Sequence, residues 1–375
     1  MTAVPALALG ACTVANANDR PDILVAASLE LSGGASDIGV AYQRALELRA
    51  EQINASGLLG GRKLSVKVQD NRGDPATALT QITAFAADPA VTAIITGTCA
   101  DCASGAAKVI DERRVPTIAL TPVADVIAPP AERRYVFRLA PGADDDASLL
   151  VGELGRAGQR KVGLLAADDA YGRSGADALT REAGKIGAKV VGRGQYALGE
   201  SDLSKAARAA LTGGPDAVVV YGYPVQAALA VGAVRAAGYH GQVYLDAVAA
   251  GELFLGEQFG ADATALVFTP TLAIDDVIAT TPAKAARRQW FQDYTSRYGT
   301  YHGHASFAAD ALQLIANAAA QSGSIDGATL RARLETVQAD GLSGSIRFTP
   351  DNHSGLTPQS LAMLEARGGR WRLLG

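Results

Sequence analysis

What most constrains the fold of this chain is a regular alternation of short, almost wholly apolar runs with longer Ala-rich amphipathic segments. The runs are "DILVAASLEL" (22–31), "KLSVKVQD" (63–70), "VTAIITG" (91–97), "VPTIAL" (115–120), "KVGLLAA" (161–167), "AKVVGRGQY" (188–196), "DAVVVYGY" (216–223), "QVYLD" (242–246) and "ALVFTP" (265–270). A strand that is apolar along its whole length is covered on both faces, as in a parallel sheet between layers of helices. The segments between them, such as "GVAYQRALELRAEQINA" (39–55) and "GRSGADALTREAGKIG" (172–187), read as helices. This β-α-β-α order implies right-handed crossovers and an α/β, doubly wound fold. The order occurs twice: one set ends near residues 135–148, the other near 267–276, each at a Pro-containing break. Two long helical segments (282–299 and 303–323) follow, then "GSIRFTPDNHSG", then two strand-like runs about a Gly-Gly turn in "SLAMLEARGGRWRLL".

At 375 residues the chain exceeds what one core usually serves, so two lobes are expected. The formal net charge is −4 and no long basic run occurs, which argues against a nucleic-acid partner, since phosphates are met by clustered Lys and Arg. The opening "MTAVPALALGACTVANANDRPD" resembles a bacterial lipobox, with Cys12 as the acylated residue. It lacks a basic n-region and is too short to span a bilayer. Residues 1–20 are therefore read as a lipoprotein signal or tether outside the fold, and no later run is long enough for a membrane helix.

Enzyme signatures are missing. There is no G-x-S-x-G elbow, no G-x-x-x-x-G-K-[ST] phosphate loop and no G-x-G-x-x-G after the first strand, so no catalytic residue and no cofactor is expected. Doubly wound sheets bind ligands beyond the carboxyl ends of their strands, beside helix N-termini. Two such lobes facing each other would line a single cleft with those loops.

Four stretches carry a resemblance to a known family: "LELSGGASDIGVAYQRALELRAEQINASGLLGGRKLSVKVQDNRGDP" (29–75), "DDAYGRSGADALTREAGKIGAKVVG" (168–192), "AARAALTGGPDAVVVYGYPVQAALAVGAVRAAGY" (206–239) and "GHASFAADALQLIANA" (303–318). In order and spacing they resemble the periplasmic branched-chain amino acid-binding proteins, the substrate-binding components of ABC importers. The resemblance implies two Rossmann-like lobes joined by a three-segment hinge (the type I periplasmic-binding fold), with crossings near Ala140, Thr269 and Arg347. One lobe would be 21–140 plus 270–346, the other 141–269 plus 347–375. It further implies a small-molecule solute trapped by hinge closure, an ABC permease as membrane partner, a monomer, and a place in the periplasm or at the cell surface through the Cys12 lipid. A ligand sensor of the same fold is the alternative that sequence does not separate from transport.

The resemblance also places the ligand contacts. The loop Thr98–Asp101 corresponds to the family segment that holds a ligand carboxylate through main-chain N–H groups and a serine, but Ala100 stands at the serine position. Thr98 or Ser104 would have to supply the hydroxyl; Ser104 is equally well an ordinary helix-start residue. Asp101 repels a carboxylate unless it caps the helix or faces an amine, and both readings stay open. Thr121, Pro122 and Val123 match a segment that offers carbonyls and a threonine, although Thr121 also suits a strand end before proline. Tyr171 and Tyr223 match two tyrosines that close over the ligand with a ring and a hydroxyl. Ile38 matches a wall residue. Where the family pairs a glutamate with the ligand ammonium, this chain has Ala247 preceded by Asp246, so an amide, an aromatic acid or another small carboxylate is as acceptable as an amino acid.

The pair Cys99–Cys102 stands at the start of a helix and admits three readings: a local disulfide or inert thiol pair, half of a metal site, or a thiol redox couple. Metal lacks a second ligand pair, His302 and His304 being the nearest thing to one, so no metal is expected. Export and the count of three cysteines, one for lipid and two for a bridge, favour the disulfide. An exported thiol oxidoreductase is the remaining enzymatic reading. The run Asp144-Asp145-Asp146 reads as the first turn of a helix, where carboxylates oppose the positive end of the dipole.

Overall fold

A computed structural model describes residues 21–251, 264–276 and 279–374; Cys12 lies outside them. The first half of the chain builds a five-stranded parallel sheet. Its strands are β1 (Ile23–Leu29), β2 (Leu64–Asp70), β3 (Val91–Thr96), β4 (Thr117–Ala119) and β5 (Val136–Arg138), in the order β2-β1-β3-β4-β5. Val25 sets the central register, opposite Val66 on one side and Ala93 on the other. Helices α1 (Ser36–Ser56), α2 (Pro75–Ala87) and α3 (Ala100–Arg113) form the crossovers. Asp74 starts α2 by accepting from the Thr77 N–H at 2.7 Å, with Pro75 in the first turn, a combination that suits a helix start.

The chain then crosses to a second sheet. Helix α4 (Ala143–Arg156) leads into β6 (Lys161–Ala167), α5 (Ala170–Lys185), β7 (Lys189–Tyr196), α6 (Ser204–Ala210), β8 (Ala217–Tyr221), α7 (Pro224–Ala236), β9 (Gln242–Leu245) and β10 (Thr264–Phe268). It returns to the first half for α8 (Pro282–Tyr298), α9 (Ala305–Ser322), α10 (Gly327–Leu334) and the small hairpin-like pair β11 (Gln338–Asp340) and β12 (Ser345–Arg347). A last crossing brings β13 (Ala362–Arg367) and β14 (Arg370–Leu373) onto the edge of the second sheet, whose order is β14-β13-β10-β9-β8-β6-β7. Strands β6 to β10 are parallel; β13 and β14 are antiparallel, joined through Gly368 and Gly369 at φ 61° and 69°. That left-handed pair is what a two-residue hairpin turn requires.

Among the described residues the sequence runs fall on strands β1 to β4 and β6 to β10. Strand β5 was hidden in a Pro- and Gly-broken stretch, and it is only three residues long. Its last residue, Arg138, ties the crossings together. The Arg138 N–H donates to the His353 carbonyl at 2.9 Å, Nη1 to the Pro122 carbonyl at 2.8 Å and Nη2 to Ser354 Oγ at 2.6 Å. No helix among the described residues is long and apolar enough to cross a membrane.

Candidate functional site

The C-terminal ends of β1, β3 and β4 face those of β6, β8 and β9. Helix α3 packs against α5, and a Cβ placed on Gly34, just past β1, would lie 3.7 Å from Gln226 Nε2 in the first turn of α7. The loops after these strands therefore meet at one interlobe seam, where a doubly wound fold puts its ligand.

The second-lobe wall is built on two tyrosines. Asp169 starts α5 by accepting from the Gly172 N–H at 2.8 Å, which sets Tyr171 in the first turn. Tyr223 directly precedes α7. Their rings meet edge to face with centroids 5.4 Å apart, and both are buried. The hydroxyls, however, are spent on the chain itself: Tyr223 donates to Asp169 Oδ2 at 3.0 Å and Tyr171 donates to Asp246 Oδ2. The hydroxyls expected from sequence to face a ligand are therefore engaged within the chain. Beneath them Gly175 leaves room for the Tyr221 ring, since a Cβ there would sit 2.2 Å from Cδ1.

Below the tyrosines lie two buried carboxylates. Asp246 caps a single 3₁₀ turn, Ala247–Ala249, and Ala247 is itself buried, donating its N–H to Asp146 Oδ2 at 3.3 Å. Burial pushes the Asp246 carboxyl up to about 7, against the lowering effect of the Tyr171 hydroxyl. Burial and the neighbouring Asp246 charge hold Asp146 well above the carboxylate range. One oxygen of each, Oδ1, has no partner among the described residues. The helix start expected at Asp144–Asp146 is present, but the expectation that all three carboxylates serve it needs correcting. Gly142 is the cap residue, and Asp146 lies on the buried face with Ala143, Ala147, Leu150 and Leu154. That i, i+3, i+4 placement was the signal in the sequence, had the periodicity been weighed above the run of charge.

The first-lobe wall departs further from expectation. Glu30, which no motif singled out, directly follows β1 and is 1% exposed. Its Oε2 accepts from the Thr98 N–H at 2.9 Å and its Oε1 from Asn71 Nδ2 at 3.1 Å, with the Cys99 N–H also directed at the carboxylate. Desolvation raises its pKa and these donors oppose the rise. Gly97 makes the placement feasible, because a Cβ there would meet Oε2 at 2.1 Å. The N–H groups expected to hold a ligand carboxylate thus already hold the chain's own. Ala100, the first residue of α3, is buried, and Asp101 is exposed. Thr121 is fully buried with Oγ1 unpartnered among the described residues, Val123 belongs to the core, and the Pro122 carbonyl is engaged by Arg138 and is not free for a ligand. Ile38 packs into the core beneath α1.

Cys99 and Cys102 are joined as a disulfide at the start of α3, with Cα atoms 5.3 Å apart. Among the described residues their sulfurs and Glu30 form the one group of three ligand-type atoms close enough to share an ion. With the sulfurs bonded to each other, Glu30 is left as its single ligand. His302 and His304 lie elsewhere, in an aromatic cluster with Phe268 and Phe307, and burial drives both imidazoles to the neutral form, His302 down to about 4.

Comparison with known proteins agrees with this geometry. A family model for periplasmic binding proteins matches residues 22–370. An extracellular ligand-binding receptor from Rhodopseudomonas palustris HaA2 superposes with a TM-score of 0.86 at 21% identity, covering 95% of this chain and 100% of that one. The branched-chain amino acid transporter substrate binding protein LivJ from Streptococcus pneumoniae, in complex with isoleucine, gives 0.79 at 20% identity, covering 94% and 99%. Among curated sequences an amino acid binding protein of Pseudomonas aeruginosa is 26% identical over 204 residues, 53% of this chain and 53% of the relative, so the match spans about half the length of each. The fold is the α/β type I periplasmic-binding fold expected from the sequence, and the chain belongs to the periplasmic binding protein family.

Proposed function

We propose that this chain is an extracytoplasmic solute-binding protein, without catalysis of its own, that closes two lobes over one small solute and presents it to an ABC permease. The lobes would be residues 21–140 with 270–346 and 141–269 with 347–375, turning about crossings near Ala140, Thr269 and Arg347. Cys12 would carry the lipid that tethers it, and the working unit would be a monomer.

The observation that carries this reading is the opposition of the two sheets. Two sheets present the carboxyl ends of their parallel strands to each other, with the buried pair Tyr171 and Tyr223 on one wall. A ligand that contacts both walls shifts the open–closed equilibrium by its differential affinity for the closed form. A micromolar solute supplies about 8 kcal/mol, ample for a hinge whose states differ by a few. Thermal shift with a panel of amino acids, amides, amines and aromatic acids should reveal at least one stabiliser, and small-angle scattering should show the radius contract with it. Tyr223→Ala should weaken that response at least tenfold. A panel without any stabiliser, together with an unchanged scattering profile, would dismiss the reading.

A further inference from the structure

We propose that the cleft selects a solute whose recognised head is an N–H donor lacking a free carboxylate (an amine, a guanidine or an amide), because Glu30 fills the place where a ligand carboxylate would sit. The inference rests on the solute-binding reading above and narrows it to a chemical class.

On the first lobe, the positive end of a helix and its unpaired N–H groups form the natural seat for an anion. Here that seat is taken by Glu30 through Thr98, Cys99 and Asn71, inside a space that Gly97 keeps open. A second carboxylate arriving there would find its donors engaged and a like charge beside it. Asp101 adds a further exposed carboxylate one residue into the same helix.

The second lobe supplies an independent observation. Asp246 Oδ1, Asp146 Oδ1 and Gln226 Oε1 are buried oxygens with no partner among the described residues, and each of the three residues is at least nine-tenths buried. Gln226 Oε1 accepts at any pH and Asp246 Oδ1 accepts when ionised, whereas Asp146 keeps its proton. Gln226 lies at the interlobe contact with Gly34. A buried acceptor left without a donor is costly, and ligand N–H groups satisfy Gln226 Oε1 and the ionised Asp246 Oδ1. Arg138, the cation that acts on Asp146, already spends both Nη groups on Pro122 and Ser354. The unpartnered hydroxyls of Thr121 and Tyr221 are able to serve a donor ligand as acceptors.

The test uses matched pairs on the purified chain: L-leucine against L-leucinamide, benzoate against benzamide, and γ-aminobutyrate against putrescine, each by calorimetry at pH 7.5. The inference expects the amide or amine of at least one pair to bind tenfold or more tighter than its acid. In Glu30→Ala, whose vacated N–H groups accept an anion, that ratio should fall by tenfold or more. Glu30→Gln, which keeps the shape without the charge, should fall in the same direction by a smaller factor and serves if the alanine variant does not fold. An acid that matches or exceeds its amide in every responding pair, or a ratio indifferent to both substitutions, overturns this inference and leaves solute binding standing. No response from any probe, with no change in scattering, overturns both.

Discussion

At the scale of single residues the most consequential group is Asp246. Ionising it means creating a charge, wholly buried, beside Asp146 from α4 and among the phenols of Tyr171, Tyr196 and Tyr221 from α5, β7 and β8. Its folded-state value of about 7 lies above the ordinary 3.8, so the native state holds a proton that the unfolded state releases. Between those limits the folded form binds more protons, and its stability falls as pH rises from about 4 to about 7. Asp246→Asn should therefore flatten the pH dependence of urea unfolding between pH 5 and 8 and raise the midpoint most at pH 8. An Asn variant that keeps the wild-type slope would remove Asp246 as its source.

At the scale of elements, α9 shows how a helix holds a distant loop. Asp310, on its buried face, accepts from the Leu342 N–H at 2.9 Å, the Ser343 N–H at 2.7 Å and Ser343 Oγ at 2.6 Å. These bonds pin the turn between β11 and β12. Asp310→Ala would strand two buried N–H groups, and hydrogen bonds to charge are worth about 1.5–3 kcal/mol each, so a loss of about 3 kcal/mol or more is expected in urea unfolding. Asp310→Asn, which retains one acceptor oxygen, should lose about half as much. Elements of this length were legible because their apolar period repeats. Nine strands and the long helices α1, α5, α8 and α9 all fall where the pattern predicts them. The three-residue strands β5, β11 and β12 carry too few side chains for a period and, unlike β4 with its apolar run Val115–Leu120, lie in no wholly apolar run, so long-range pairing defines them. The same limit governs the site. Tyr171, Tyr223 and Asp246 follow strand ends, so their positions were legible in the sequence. Glu30 reads as one more polar residue after a strand, and only the fold brings it 68 positions along the chain to Thr98.

At the scale of the whole molecule, the charges on the two walls bear on closure. Glu30 and Asp101 stand on one side and Asp169 on the other; burial first, and the Asp101 charge after it, raise the Asp169 pKa. Where they are ionised these carboxylates repel across the gap between the lobes, so the molecule without solute should favour the open form, and a solute with cationic or N–H-rich character should bridge them. Asp101 is exposed, so its share of the repulsion is carried through water and is screened by salt within about 8–10 Å at physiological strength. Asp101→Asn should then raise the resting closed population. Because apparent affinity scales with the competent fraction, binding of a neutral stabilising probe should tighten by roughly two- to fivefold at low salt. The gain should shrink toward nothing above about 0.5 M salt, while the bound-state scattering radius stays that of the unmodified protein. A cationic probe would feel a second, opposite effect, since the substitution also removes a charge that attracts it. The neutral amide is therefore the cleaner readout: tighter binding of leucinamide's uncharged analogue isovaleramide, without a change in its bound radius, would assign the gain to closure. Unchanged or weaker isovaleramide binding at low salt would show that the wall charges do not set the resting equilibrium.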